Sequence, residues 1–320
     1  MYSPDILIVG GTKDPSIGVL AAAARRLDRA AALLQFGDDA EPAICWNLTD
    51  ATITLDGRPI APRGAFLRQD VFSYQDSFEA DRLDKSTAWH AAVTGMCFAD
   101  PGIQIFNRNM DWRSASKPIM LELARRHGLA VPETIISNRA KDILALHSQF
   151  PRIAKPVAGG AYCVELSELL RDPPWKNGIA PAPAIVQDKL EYPEYRVYIV
   201  ADRLVSFEVA SDAIDYRTDQ KSRITPLSPD VLPASLQGAL LALARDVGVD
   251  FGAADFKTRS ATGEICFLEL NNQPMFAAHD QACAGALAEA IVEALAPARV
   301  VRPATSPRPQ PNDRGLQNVG

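Results

Sequence analysis

The sequence predicts a mixed α/β protein in which a parallel α/β unit comes first and two strand-rich α+β units follow. The first observation is the order of elements at the N-terminus: residues 5–10 (DILIVG) fit a strand, residues 17–27 (IGVLAAAARRL) a helix and residues 32–36 (ALLQF) a second strand. This strand–helix–strand order is typical of a parallel sheet. The second observation is a change of pattern near residue 114, after which strands dominate and residues 252–271 fit a hairpin.

The other elements follow from apolar periodicity and turn residues. Short strands are expected in AICWNL, ATITL and GAFLR, a helix over residues 80–98, and a helix that begins after Ser116 and ends at Gly128. Later helices are expected at 233–247 and at about 280–295. The elements divide the chain into an N-terminal α/β domain (1–110), a central subdomain (111–190), a C-terminal subdomain (191–297) and a disordered Pro-rich tail (298–320).

Composition argues against several classes of protein. The 320-residue chain has a net charge of −6, which disfavours a general binder of nucleic acid or anionic membranes but leaves a basic pocket for phosphates open. No apolar run approaches the roughly 20 residues that a membrane span needs. The first residues lack the basic segment of a signal peptide, and five dispersed cysteines without a CxxC pair predict free thiols in the reducing cytoplasm.

The segment FLELNNQPMF (267–276) places a carboxylate, Glu269, among apolar residues. An unpaired buried carboxylate is costly, so a partner is expected. If the hairpin closes at 261–263, Asp255 faces Glu269 across the two strands. The same register gives two further cross-strand pairs, Lys257–Phe267 and Arg259–Ile265.

Asn271 lies two residues after Glu269 and therefore shares its face of the strand. Asp255, Glu269 and Asn271 together form an all-oxygen set near one end of the hairpin. Facing carboxylates repel unless a cation or a proton lies between them. Such a set suits Mg²⁺, which takes one or two carboxylates and completes its shell with phosphate oxygens and water. The alternative is a surface hairpin whose acids adjoin by chance.

A nucleotide that carries Mg²⁺ would also need cations for its phosphates. Lys117 begins a helix, and Lys155 lies inside the apolar strand IAKPV, where a lysine is unusual without a negative partner. Gly159 and Gly160 follow and would let backbone N–H groups approach an anion. The alternative for Lys117 is an ordinary exposed helical lysine.

These segments, taken in order, resemble the ATP-grasp fold. The order is SASKP, AKPVAGG, IVQDKL, EYR and FLELN, and the similarity spans about 105–295. It is greatest with the RimK-like branch, which includes the graspetide ligases that crosslink microviridin-type peptides. The resemblance implies an ATP-grasp core that holds ATP between two α+β subdomains, behind an N-terminal α/β domain.

The resemblance also implies roles for individual residues. Lys117 and Lys155 match phosphate-contacting lysines, Gly159 and Gly160 lie in the loop that closes over the phosphates, and Asp255, Glu269 and Asn271 match magnesium ligands. The backbone of Gln187, Asp188, Lys189 and Leu190 matches the hinge that binds adenine, and Glu194 matches an acid that binds the ribose. Arg196 and Arg217 match catalytic arginines.

The implied activity is ATP-dependent ligation of a carboxylate to an amine through an acyl phosphate, with ATP and Mg²⁺ as cofactors. The partners would be a small-molecule or peptide carboxylate and an amine acceptor, without nucleic acid or membrane, and a homodimer stays open because many relatives dimerise. Two substrate classes compete, amino acids or dipeptides and acidic peptides. Two other functions also compete: a kinase for small-molecule hydroxyls, and a nucleotide-binding regulator without turnover.

One part of the motif departs from the family pattern. The family continues N-P after the metal glutamate and its neighbour, whereas this chain continues N-N-Q-P. The turn formed by Asn272, Gln273 and the following PMF is therefore expected to touch the substrate.

Overall fold

The computed structural model describes residues 2–37, 42–72, 80–147, 151–158, 163–211 and 221–298. Within these ranges the chain forms four sheets, and none of the helices there is long and apolar enough to cross a membrane. The predicted tail lies outside the described residues from position 299 onward. The predicted boundaries after residues 110, 190 and 297 stay predictions.

In its described residues, the N-terminal region contains two helices and seven strands. The helices are α1 (Pro15–Arg26) and α2 (Ala80–Ala99). The strands are β1 (Ile6–Gly11), β2 (Ala31–Phe36), β3 (Ile44–Asn47), β4 (Thr52–Leu55), β5 (Arg58–Pro59), β6 (Gly64–Leu67) and β7 (Gln104–Ile105). Four of them form the predicted parallel sheet, in the order β2–β1–β6–β7, and β3–β4–β5 form a small antiparallel sheet.

The central region begins with a 3-10 turn at Trp112–Ala115. Its helices are α3 (Lys117–Arg126), α4 (Ala140–His147) and α5 (Leu166–Leu169). Its strands are β8 (Thr134–Arg139), β9 (Arg152–Pro156), β10 (Val164–Glu165) and β11 (Ile179–Asp188). They form an antiparallel sheet in the order β10–β9–β11–β8.

The C-terminal region is an antiparallel sheet of five strands, covered by helices. The strands are β12 (Glu191–Val200), β13 (Arg203–Ala210), β14 (Arg223–Pro226), β15 (Phe251–Arg259) and β16 (Glu264–Asn271). The helices are α6 (Ala234–Asp246), α7 (Ala277–Ala282) and α8 (Ala286–Leu295). The sheet order is β14–β13–β12–β15–β16.

The single helix predicted at about 280–295 is wrong, because the chain breaks between α7 and α8. Gly285 there has a φ of 93°, in the left-handed region that favours glycine. A Cβ on Gly285 would also overlap the guanidinium of Arg26, which packs from α1. The apolar periodicity continues across this break, so the sequence pattern does not reveal it.

Alternate residues of β12 enter two different cores, as expected for a strand with helices on both faces. Val197 and Ile199 pack with α3 and α6, whereas Tyr198 and Val200 pack with α1 and α8. Helix α1 of the N-terminal region packs against α7 and α8, which contact this face of the C-terminal sheet. This packing brings the carboxyl ends of β1 and β6 close to the end of β16.

The predicted pairing of Asp255 with Glu269 is confirmed, but the register on the turn side of this pair differs by one residue. Phe256 faces Phe267 across the pair, so Leu268 is an extra residue in β16, a β-bulge. The predicted pairs Lys257–Phe267 and Arg259–Ile265 are consequently wrong. The observed pairs are Lys257–Cys266, Thr258–Ile265 and Arg259–Glu264.

The bulge resolves a conflict between the two faces of β16. In a regular strand Phe267 and Glu269 would lie on the same face. The extra residue instead turns Phe267 into the core, where its ring meets Phe256 edge to face at 5.7 Å and is fully buried. Glu269 can then stay beside Asp255 on the opposite face.

Candidate active site

One wall of the candidate site is the face of β12 and β15 that carries Arg196 and Asp255. These residues face each other in the sheet, and Arg196 Nη1 lies 2.8 and 2.9 Å from the two carboxylate oxygens of Asp255. Both side chains are almost fully buried. A buried charge pair of this kind is stable only with good geometry, so the two residues fix each other's position.

Arg196 is also held from its other side. Its Nε–H donates to the hydroxyl of Tyr198 at 3.1 Å, and the Tyr198 hydroxyl donates to the carbonyl of Met275 at 2.6 Å. Burial raises the pKa of Tyr198 to about 12, so this hydroxyl keeps its proton. The sequence does not indicate this role of Tyr198, because an apolar-looking strand position gives no sign of a hydrogen bond to a turn 77 residues away.

Glu194 and Lys257 form the next pair along the same face. They face each other in β12 and β15, and Lys257 Nζ lies 3.1 Å from Glu194 Oε2. The predicted ribose acid is therefore a mostly buried carboxylate that a lysine neutralises. Its position two residues before Arg196 puts it on the same wall.

The two predicted phosphate lysines converge on the hairpin acids. Lys117 Nζ, at the start of α3, lies 3.7 Å from Glu269 Oε2. Burial lowers the pKa of Lys155 in β9, and the charge of Glu269 opposes this effect, as do those of Cys163 and Asp255, while Lys117 adds to it. The structure thus places Lys117 beside Glu269, and Lys155 within the electrostatic influence of Glu269 and Asp255.

Asn271 closes the hairpin edge next to these acids. It faces Ala253 in the sheet, two positions from the Asp255–Glu269 pair. Its Oδ1 accepts a hydrogen bond from the backbone N–H of Gln273 at 2.9 Å. The turn that follows is held by Asn107, whose Nδ2 donates to the carbonyl of Asn272 at 3.2 Å.

The donor set fits Mg²⁺. Within the described ranges no three His, Cys, Asp or Glu side chains are grouped to hold a metal ion. A nucleotide-borne Mg²⁺ does not need three, because phosphate oxygens and waters complete its shell. Asp255 and Glu269 supply two carboxylates and Asn271 an amide oxygen, and Arg196 and Lys117 offset the negative charge.

The hinge residues join the central sheet to the C-terminal sheet. Gln187 is fully buried in β11, and its Nε2 donates to Thr134 Oγ1 at 2.9 Å. The backbone N–H groups of Asp188 and Lys189 donate to the carbonyls of Glu133 and Pro151. Two amides of the predicted hinge are therefore used inside the fold.

The side chains of the hinge take part in ion pairs. Asp188 lies between Arg152, at 3.0 Å, and Arg259 of β15, at 2.7 Å. Lys189 pairs with Glu165 of β10. These contacts fix the hinge between its neighbouring strands and give the side chains a structural role. Of the other predicted site residues, Gly159, Gly160 and Arg217 lie outside the described residues.

A parallel α/β region followed by two antiparallel sheets agrees with the predicted ATP-grasp fold, and structural comparison confirms the resemblance at the level of fold. No protein-family model matches the sequence, and no curated protein does. Solved structures do match over most of the chain.

Three of these structures are ligases, with TM-scores between 0.55 and 0.70. The ATP-grasp ligase PsnB, in complex with a minimal precursor, Mg and ADP, has a TM-score of 0.69 at 23% identity, over 91% of this chain and 97% of PsnB. The macrocyclase MdnC from Microcystis aeruginosa MRC, bound with precursor peptide MdnA, has a TM-score of 0.70 at 18% identity, over 92% and 99%. The VanG D-Ala:D-Ser ligase from Enterococcus faecalis has a TM-score of 0.55 at 16% identity, over 92% and 98%.

Proposed function

We propose that the chain is an ATP-dependent carboxylate–amine ligase that works through an acyl phosphate and releases ADP and phosphate. One observation carries the proposal: Lys117 and Lys155 converge on Asp255 and Glu269 from the opposite side of the hinge. Cations that face paired carboxylates are what a site needs to hold nucleotide phosphates together with Mg²⁺. The fold, which the ligases PsnB, MdnC and VanG share, supports the assignment.

A peptide is the substrate class that we favour. PsnB is described with a minimal precursor and MdnC with a precursor peptide, whereas the VanG enzyme is described as a D-Ala:D-Ser ligase. The chain matches the first two with higher TM-scores than the third. This favours a peptide carboxylate over a free amino acid.

Each predicted site residue has a role in the proposal. Phosphates bind to Lys117, Lys155 and the loop with Gly159 and Gly160, adenine to the backbone of Gln187, Asp188, Lys189 and Leu190, ribose to Glu194, and Mg²⁺ to Asp255, Glu269 and Asn271. When bound, Mg²⁺ would neutralise phosphate oxygens during transfer.

In the proposed reaction a carboxylate oxygen of the substrate attacks the γ-phosphorus of ATP, and ADP leaves. An amine nitrogen then attacks the acyl carbon, phosphate leaves, and the nitrogen loses a proton to solvent. Arg196 orients Asp255 and adds positive charge beside the transferring group. Arg217 is proposed to stabilise the phosphoryl group and the tetrahedral oxyanion.

The first test measures ADP release with Mg-ATP and a panel of acidic peptides, free amino acids and polyamines. We expect turnover with acidic peptides. Asp255→Asn and Glu269→Gln should each lower it by more than about 100-fold, because loss of a metal's outer-shell partner alone costs about 10- to 100-fold. Glu293→Gln, which removes the acid of an exposed ion pair with Arg203, is the matched control.

Two results would contradict the proposal. Full ADP release by both acid variants would overturn the metal assignment. Mass spectrometry of the products separates ligation from phosphorylation, since a new amide within a peptide lowers its mass by one water. A stable phosphorylated product would instead indicate a kinase.

A cytoplasmic location is proposed on the basis of the cysteines. All five are free, and Cys97 and Cys266 are buried. Free thiols persist where the medium is reducing, which supports the proposed cytoplasmic location.

A further inference from the structure

Arg68 links the N-terminal domain to the turn that follows the metal hairpin. It directly follows β6, at the carboxyl end of a parallel strand, and only 2% of its surface is exposed. Its Nη1 donates to the carbonyl of Pro274 at 2.7 Å and to that of Gln273 at 3.3 Å. Its Nε–H donates to Asp14. One guanidinium thus joins two elements that are about 200 residues apart in sequence.

Asp14 holds Arg68 in a fixed position. It is the N-cap of α1, where its Oδ1 accepts from the backbone N–H of Ser16 at 2.8 Å. Its other oxygen, Oδ2, accepts from Arg68, and both side chains are almost fully buried. A buried ion pair is costly to keep and contributes little net stability. The planar guanidinium of Arg68 donates to three acceptors, Asp14 and the carbonyls of Gln273 and Pro274. A different residue could not reproduce this geometry.

A series of hydrogen bonds connects Arg68 to Asn271, one of the proposed metal ligands. Arg68 holds the carbonyl of Gln273, and the N–H of Gln273 donates to Asn271 Oδ1. At the far end of the turn, Tyr198 holds the carbonyl of Met275. The backbone from Gln273 to Met275 is therefore fixed at both ends, and the direction of the Asn271 amide depends on it.

We propose that Arg68 is a positioning residue that orients Asn271 for Mg²⁺, so that the N-terminal domain sets how strongly Mg²⁺ strengthens nucleotide binding. The inference rests on the proposed function, because it takes Asn271 as a metal ligand. The side-chain hydrogen bonds of Arg68 go to Asp14 and to the carbonyls of Gln273 and Pro274, and none goes to the proposed metal ligands. Its removal should leave the binding of ADP alone unchanged and weaken the additional affinity that Mg²⁺ provides.

The experiment measures the dissociation constant of ADP by titration calorimetry, with and without Mg²⁺, for the wild-type chain and for Arg68→Lys. Lysine keeps a positive charge near Asp14, but its single nitrogen cannot reproduce the planar fork in which Nε and Nη1 reach the carboxylate and the two carbonyls separately. We expect the dissociation constant without Mg²⁺, divided by that with Mg²⁺, to be about 10-fold smaller for Arg68→Lys than for the wild type. This is the lower end of the cost of losing an outer-shell partner. The constant without Mg²⁺ should stay the same.

Arg63→Lys is the matched control. Arg63 also lies in the N-terminal domain, pairs with Asp5 at 2.9 Å and donates to the carbonyl of Pro297, but it does not contact the turn. Arg63→Lys should lower the melting temperature without changing the ratio of the ADP dissociation constants without and with Mg²⁺. If Arg68→Lys does not fold, the double variant Asp14→Ser with Arg68→Met removes both buried charges and keeps a capping side chain, and the same 10-fold fall is expected.

The outcomes separate the two proposals. A wild-type chain that binds ADP equally well with and without Mg²⁺ would overturn the metal site and the proposed function with it. A wild-type chain with a clear Mg²⁺ effect that Arg68→Lys and the double variant retain in full would overturn only the positioning role.

Discussion

Burial determines the protonation states of two side chains beside the candidate site, Tyr198 and His279. Tyr198 and His279 lie ring edge to ring face at 5.2 Å, and His279 meets Phe207 in the same way at 5.1 Å. Burial lowers the pKa of His279 to about 3, and the charge of Arg196 adds to the effect. His279 is therefore neutral at physiological pH, which leaves Arg196 as the positive charge at this position.

The neutral His279 predicts an acid-sensitive fold. In the unfolded chain the pKa of a histidine is near 6.5, so between this pH and about 3 the unfolded state binds one more proton than the native state. Stability should therefore fall as the pH falls through this window. Replacing the histidine removes this proton uptake.

We expect His279→Phe, which keeps an aromatic ring against Tyr198 and Phe207, to lose less stability than wild type on acidification. The difference should reach about 3 kcal/mol between pH 6.5 and pH 4, from the shift of about 1.4 kcal/mol per pH unit. Urea unfolding at both pH values measures it. His127→Phe, at an exposed ion pair with Asp246, is the control. Equal acid sensitivity of wild type and His279→Phe would contradict the assignment.

At the scale of elements, the hinge is held by charges between strands. Asp188 of β11 pairs with the buried Arg152 of β9 and with Arg259 of β15. The backbone of the same segment is bonded to Glu133 and Pro151. The two α+β units are thus joined at the place where the proposal puts adenine.

Asp188→Asn separates the two roles of the hinge. Arg152 and Arg259 would lose their shared acid, and breaking a buried pair costs about 3 kcal/mol or more. If adenine binds only to the hinge backbone, ADP affinity at a temperature well below unfolding should not change. Chemical denaturation and calorimetry measure the two effects, with Lys189→Met, which breaks the exposed pair with Glu165, as control. A large loss of ADP affinity at unchanged stability would show that the carboxylate itself binds nucleotide.

The hairpin and the last two helices show which features of the fold the sequence predicts. Strand alternation and a turn at 261–263 predict Asp255 opposite Glu269, and this pairing is observed although the turn side is shifted by one residue, because a bulge compensates for the shift. The bulge at Leu268 is invisible in that pattern, since it depends on burying Phe267 against Phe256. The break at Gly285 is hidden for a similar reason: it depends on Arg26 of α1. Local periodicity predicts elements, whereas their interruptions come from distant contacts.

At the scale of the whole molecule, the N-terminal domain forms part of the candidate site. Phe66 of β6 packs edge to face against Phe251 and Phe276 of the C-terminal region. Arg68 and Asn107 hold the turn after the hairpin. The sequence order of the motifs predicts which residues bind the nucleotide. It does not predict the contacts of Arg68 and Asn107 with the turn, because no local pattern links residues so far apart.

The two regions also enclose a cavity of about 110 Å³ beside the turn. Its walls include His90 and Phe98 of α2, Met110, and Gln273 from the turn. Met275, at the far end of the same turn, exposes 54% of its surface although its carbonyl is held by Tyr198. The N-N-Q-P departure predicts that this turn contacts the substrate, and Met275 is the exposed apolar side chain that it presents.

Met275→Ala should therefore weaken the peptide and spare the nucleotide. Loss of a buried methionine contact is worth about 1.5–3 kcal/mol, so KM for the acidic peptides that support ADP release should rise by roughly 10-fold or more. The affinity for Mg-ADP should not change, because the backbone that holds Asn271 is intact. Val231→Ala is the control, since Val231 is similarly exposed but follows β14, away from the turn. An unchanged KM across the peptide panel would show that the turn serves only to hold the metal edge, and that the substrate lies elsewhere.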